Sequence, residues 1–158
     1  MTRRFWMRAT MAAVMAAGVG MAALAPRALR AAAVTGQVYE LMVVADGADE
    51  TPPNTSQATA IGHFFVSADR TKLIYDVKVA GLSSDATAMH LHMAPRGQSA
   101  SPLIGLDTPV NGRAVGCVSG LKSTDVDALL DPNQVLYMNI HTKNFTGGEI
   151  RGQVVPAP

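Results

Sequence analysis

From about residue 37 onward, apolar and polar side chains alternate with the two-residue period of a β-strand. In 73–79, Leu73, Tyr75, Val77 and Val79 form one face, and Ile74, Asp76 and Lys78 the other. A similar run over 58–66 precedes it across Ser67-Ala68-Asp69-Arg70-Thr71, which predicts a hairpin. An earlier strand spans 37–44, with Val38, Leu41 and Val43 among its apolar positions. Gly47, Pro52, Pro53 and Asn54 mark 46–56 as a polar loop. After the turn Gly81-Leu82-Ser83-Ser84-Asp85 comes a strand ending at Met93, and 95–109 is rich enough in Gly, Ser and Pro to predict a long loop. A further strand is expected over 113–118. A short helix is expected over 125–130, capped by Thr124, with Asp125 and Asp127 where the helix dipole favours acids and Pro132 beyond its end. Strands at 134–141 and 149–155, joined by 143–148, close the chain. No repeat or second domain interrupts the series. Short strands separated by turn signals predict an all-β fold, an antiparallel β-sandwich with one short helix.

Residues 1–33 break the alternation. Arg3, Arg4 and Arg8 precede an apolar run over 9–25, and Ala31-Ala32-Ala33 offers a small-residue cleavage site before Val34. This is the pattern of a secretory signal peptide, and the run is short for a membrane span; an uncleaved anchor is the alternative. Thr2-Arg3-Arg4-Phe5-Trp6-Met7-Arg8 also fits a twin-arginine signal, and Arg27 and Arg30 near the cleavage site suit that route better than the general one. The expected organisation is a twin-arginine-type signal peptide at 1–33 and one domain at 34–158, periplasmic or secreted.

Removing the leader changes the charge picture. Five of the thirteen Lys and Arg residues lie in it, leaving eight against twelve Asp and Glu, a net charge of −4 for residues 34–158. That argues against nucleic acid or an anionic membrane surface as partner. Cys117 is the only cysteine, so no intrachain disulfide forms; it is expected to be a small buried apolar residue rather than a ligand or redox thiol. Residues 34–158 contain no G-x-S-x-G elbow, phosphate loop or C-x-x-C pair. Asn54-Thr55-Ser56 and Asn144-Phe145-Thr146 are formal glycosylation sequons, of little meaning for a bacterial export route.

The sharpest chemistry lies in Ala88-Met89-His90-Leu91-His92-Met93, answered by Met138-Asn139-Ile140-His141-Thr142. If Met89, Leu91, Met138 and Ile140 face a core, alternation turns His90, His92 and His141 onto the opposite, solvent face. Two imidazoles at i, i+2 and a third from a neighbouring strand make a three-nitrogen metal site. His63 is a fourth candidate if Phe64 and Val66 face inward, and an interior residue if Ile61 and Phe65 do. Asn139, Glu149 and Arg151 are expected beside the histidines in a supporting role. For Glu149 and Arg151, two positions apart, an ion pair or a hydrogen bond to a nearby turn is preferred over catalysis. Met89, Met93 and Met138 are read as core filling, with a thioether ligand from Met93 only if its strand bends at Pro95.

Gly81-Leu82, the Ala88–His92 strand, Leu121 with its acidic helix, Leu136-Tyr137-Met138-Asn139-Ile140-His141-Thr142 and Gly147-Gly148-Glu149-Ile150-Arg151-Gly152-Gln153 together resemble the CHRD, or chordin-type, domain over about residues 38–155. The resemblance implies an extracellular or periplasmic β-sandwich without implying an activity. The chain departs from that pattern after the histidine pair, where Met93-Ala94-Pro95-Arg96-Gly97 replaces a glycine-rich segment. In ligand layout it is also similar to Cu,Zn superoxide dismutases, which implies a Greek-key, superoxide dismutase-like sandwich with copper on histidines at the positions of His90, His92 and His141. The zinc-binding run of histidines and the cysteine pair of those enzymes are missing here.

Two classes of function remain. One is an exported metal-binding protein, copper being expected ahead of zinc, that stores or transfers the ion or uses it for redox chemistry. The other is a non-catalytic interaction module with structural histidines and no metal, whose partner is another protein or a second copy. Convergence of the three imidazoles separates them.

Overall fold

The computed structural model describes residues 38–158. The expected signal peptide at 1–33 and its boundary before Val34 lie outside them. Eight strands and one helix follow in the order β1 (Tyr39–Asp46), β2 (Thr59–Val66), β3 (Lys72–Ala80), β4 (Ala86–Met93), β5 (Pro102–Leu106), β6 (Arg113–Ser119), α1 (Ser123–Leu130), β7 (Leu136–Thr142) and β8 (Ile150–Pro156).

The strands form one antiparallel sheet ordered β5-β4-β7-β8-β1-β2-β3-β6. β1, β2 and β3 are a meander, whereas β3 pairs with β6 and β4 with β7. Connections that skip to a distant neighbour join these pairs into the all-antiparallel β fold with one short helix that the sequence predicts. The sheet curls so far that its inward face encloses the core, nearly closing into a barrel. Leu41, Val43, Phe64, Val66, Leu73, Tyr75, Val77, Met89, Leu91, Met138, Ile140, Ile150 and Val154 fill it, every second residue along their strands.

The seam between β5 and β6 is bridged by a side chain. Tyr75 on β3 donates its hydroxyl hydrogen to Asp107 Oδ2 (2.8 Å) and accepts from the Asp107 N–H (2.9 Å), one residue past β5. It reaches Asp107 over Gly116, its partner on β6, where any Cβ would collide with the phenol ring. Tyr75→Phe removes both bonds and leaves the apolar packing intact, so a loss of about 1–3 kcal/mol is expected in urea denaturation. An unchanged midpoint would show that the seam does not need the bridge.

Several local expectations require correction. The segment read as one long loop contains β5, of which only Ile104 is fully buried; its leading Pro102 is compatible with an edge strand, where a missing N–H leaves no ladder bond unmade. Cys117 is exposed, because β6 buries Ala114 and turns Val115 and Cys117 outward. Met93 is exposed at the end of β4 rather than filling the core. The helix starts at Ser123 behind Lys122, with no side-chain cap, and the Thr124 hydroxyl bonds to Asp125 instead. Val126 and Leu129, three apart on one face, anchor the helix to the core.

Candidate metal centre

The outer face of β4, β7 and β8 carries the candidate chemistry. In the register, His90 lies opposite Asn139, His92 opposite Tyr137, and Ala88 opposite His141. Burial of Met89, Leu91, Met138 and Ile140 forces all three histidines to the other side of the sheet. Their rings meet there. His90 is edge-on to both His92 and His141, with centroid separations of 5.6 and 5.4 Å. One ring nitrogen from each residue lies within 4.8 Å of the other two.

This face is not the open surface expected. Two loops fold across it, 47–58 between β1 and β2 and 94–101 between β4 and β5. An ion pair between Asp49 and Arg96 ties them together. His92 is buried, and His90 and His141 are half-buried. The result is a cleft of about 260 Å³ lined by the three histidines, Glu50, Asn139 and Arg151, among others.

Backbone carbonyls orient two of the imidazoles. His141 Nδ1 lies 3.0 Å from Thr146 O, so the N–H belongs on Nδ1 and the Nε2 lone pair is free. His92 Nδ1 lies 2.9 Å from Ala100 O, and its Nε2 lies 2.9 Å from Asn139 Oδ1. A neutral ring has one N–H and donates to one of these oxygens at a time. With the proton toward Ala100, the His92 lone pair is on Nε2, the nitrogen that faces Asn139. Carbonyl acceptors on the far nitrogen are the usual means of fixing a metal-binding imidazole. Burial and the nearby His141 and His92 hold the His90 pKa below the usual histidine value, which favours the neutral ring.

Among the described residues, four buried side-chain atoms lack a hydrogen-bond partner: Glu50 Oε1, His90 Nδ1, His141 Nε2 and Arg151 Nε. All four residues line this one cleft. A buried polar atom left unpaired costs about 1–3 kcal/mol, so such atoms are normally few and scattered. Their concentration in one place sets this cleft apart from the rest of the described residues.

Arg151 and Glu149 play different parts. The Arg151 guanidinium stacks 3.5 Å from the Tyr137 ring centroid, and His92 stacks on the same ring at 4.5 Å from the other flanking strand. Arg151 also donates to Thr51 Oγ1 (3.2 Å) and Pro95 O (3.1 Å), bracing both covering loops. Glu149 does not line the cleft. Fully buried just before β8, it accepts from Ser56 Oγ, Ser83 N–H, Ser83 Oγ and Thr142 Oγ1 at 2.6–2.8 Å. Burial pushes its carboxyl up, but the bonds from Thr142, Ser83 and Ser56 outweigh this and hold it below the usual glutamate value. His63 also lies elsewhere. Phe64 and Val66 do face inward, so His63 points outward, but from β2, where it sits 2.9 Å from Glu40 and opposite Asp76.

Glu50 and Tyr137 are the participants that sequence reasoning missed. Glu50 sits in a polar loop with no periodicity, and Tyr137 looks like another strand residue. The one signal was the Gly147-Gly148 pair. Gly148 has φ +131°, and any Cβ there would collide with the Glu50 carboxylate.

Comparison with known proteins gives this geometry a family. The chain is 29% identical to Chordin of Xenopus laevis over 118 residues, which cover 73% of this chain and 12% of Chordin. The protein therefore spans only about an eighth of that relative's length. No solved structure matches. A family model for the CHRD domain matches residues 41–154, from β1 through the histidine strands to β8, and the chain belongs to the CHRD domain family.

Proposed function

We propose that this chain is an extracytoplasmic CHRD module that holds one transition-metal ion on His90, His92 and His141, with copper favoured over zinc. Family membership supports the broader half of this reading, a module that works by binding. The metal half rests on a single observation: His90 Nδ1 and His141 Nε2 are buried, unpartnered and in the same three-imidazole group. Histidines kept for structure alone would have a polar partner beside each nitrogen, as His92 has. Neutral imidazole donors suit copper and zinc, and three of them leave a coordination position open for storage and transfer of the ion or for redox chemistry. Placement outside the cytoplasm, periplasmic or secreted, rests on the leader pattern of residues 1–33.

A second reading, an interaction module without metal, is favoured by the likeness to Chordin, a much longer protein. Its contact surface would lie away from the covered histidines. The outward sides of β1, β2 and β6 expose Val44, Ile61 and Val115, each more than half accessible, where a protein partner or a second copy can dock.

Titrating the metal-free protein with Cu(I), Cu(II) and Zn(II) tests the proposal. One equivalent should bind to the wild type and none tightly to His90→Ala/His141→Ala, with both proteins folded. Protons compete for the same nitrogens, so affinity should fall on acidification; because the His90 pKa is depressed, its share of the loss comes below the ordinary imidazole value of about 6.5. Equal binding by both proteins would leave the metal-free module as the account of this chain.

A further inference from the structure

The metal reading uses the three imidazoles and leaves Glu50 unexplained. This carboxylate is only 6% exposed, and Oε1 has no partner. Oε2 accepts one long bond, 3.3 Å, from the Thr51 N–H. Arg151 is close enough to draw the Glu50 pKa down, yet the two form no ion pair, because the guanidinium is held by Thr51 Oγ1, Pro95 O and the Tyr137 ring. Burial has the larger effect and raises the Glu50 carboxyl above its usual value. The chain makes room for this costly group, since only a glycine at 148 allows the carboxylate its position. A buried carboxylate without a partner is maintained against its desolvation cost when something in the working state compensates it.

The missing partner is in the same cleft. Glu50 lines it with His90, His92 and His141, but lies outside the group whose ligand atoms fall within 4.8 Å of one another. Its carboxylate is thus set apart from the three nitrogens, and a water on the ion that donates a hydrogen bond to Oε1 would link the two. Resting on the metal reading above, we propose that Glu50 holds the water at the ion's fourth position and thereby sets the site's preference for divalent over monovalent ions. The preference follows from charge. A carboxylate attracts a doubly charged ion twice as strongly as a singly charged one at the same distance, and the sheltered cleft weakens screening. Copper(I) on three imidazoles gains less from the same water.

Affinities of wild type, Glu50→Gln and Glu50→Asp for Zn(II), Cu(II) and Cu(I), measured in competition with chromophoric chelators, test this. Glu50→Gln should weaken Zn(II) and Cu(II) binding by about 10–100-fold, the usual effect of losing a residue that supports a metal site, with little change for Cu(I). Its copper reduction potential should rise accordingly. Glu50→Asp keeps the charge and should retain the divalent preference. Melting of the metal-free proteins monitors folding, and Glu50→Gln should be at least as stable as wild type, which a purely structural glutamate would not allow. The same Cu(II)-to-Cu(I) affinity ratio in wild type and Glu50→Gln would overturn the proposal while leaving the metal site standing. A wild type that binds none of the three ions would remove the site and this role with it.

Discussion

Replacing Glu149 by Ala should remove much of the domain's stability, on the order of 3–5 kcal/mol out of the 5–15 typical of a folded domain. The carboxylate is a hub. It joins Ser56 in the β1–β2 loop, Ser83 in the turn before β4, and Thr142 at the end of β7. Its backbone adds to the junction, with the Glu149 N–H donating to Ile140 O and Asn54 Nδ2 donating to Glu149 O. Truncation leaves the buried Thr142 hydroxyl with no acceptor and takes the shared acceptor away from Ser56 and Ser83, so three segments lose their common tie. The loss should appear as a lower urea midpoint with an unchanged slope. Acid provides a second readout. The Glu149 pKa is lower in the folded than in the unfolded chain, so its contribution is full above the unfolded value and is lost as pH falls through the folded one. Glu149→Ala should lack that part of the acid sensitivity. A midpoint change worth less than about 1 kcal/mol would mean that the hub does not hold the loops.

His141→Ala should do the opposite, abolishing tight metal binding at almost no cost to the metal-free fold. The expected drop in affinity exceeds about 100-fold, the upper end of what supporting residues contribute. In the metal-free protein the substitution loses one bond, to Thr146 O, but also removes the unpartnered Nε2. These effects are of similar size, leaving stability within about 1 kcal/mol of wild type. His92→Ala differs because that ring is buried, stacked on Tyr137 and donates its one N–H to Ala100 O or Asn139 Oδ1. It should lose metal binding and about 1–3 kcal/mol of stability together. Binding assays alongside denaturation curves separate the two patterns. A His141→Ala protein that binds like wild type would exclude His141 from the site.

Alternation carried most of the architecture. Leu73, Tyr75, Val77 and Val79 announced β3 and its inward face, and Met89 and Leu91 announced which way His90 and His92 would point. It failed where one face no longer differs from the other. In β6, Val115 and Val118 are both apolar, so the outward placement of Cys117 could not be read. In β5, a proline and a glycine in five residues hide a strand recognised only by its pairing with β4. The three histidines were legible as a group because strand geometry brings them together. The cover over them was not, since it depends on where two irregular loops close. Loop closure is why the site is a cleft rather than an open surface, and why Glu50, about forty positions before the nearest histidine of the site in the chain, belongs to it. The ending Gly147-Gly148-Glu149-Ile150-Arg151-Gly152 also acquires physical content. Gly148 admits Glu50, Glu149 gathers three segments, Arg151 braces Tyr137 and both loops, and Gly152 lets β8 pass against the backbone of Val44.

The central claim, that the three imidazoles converge to hold one ion, is tested most directly by anomalous diffraction from metal-loaded crystals at the absorption edge of the bound element. The account predicts one peak in the cleft, with nitrogens of His90, His92 and His141 at about 2.0–2.1 Å, the distance usual for zinc. Diffraction to similar resolution from loaded crystals with no peak in the cleft, or with a peak held by residues other than these three, would contradict it.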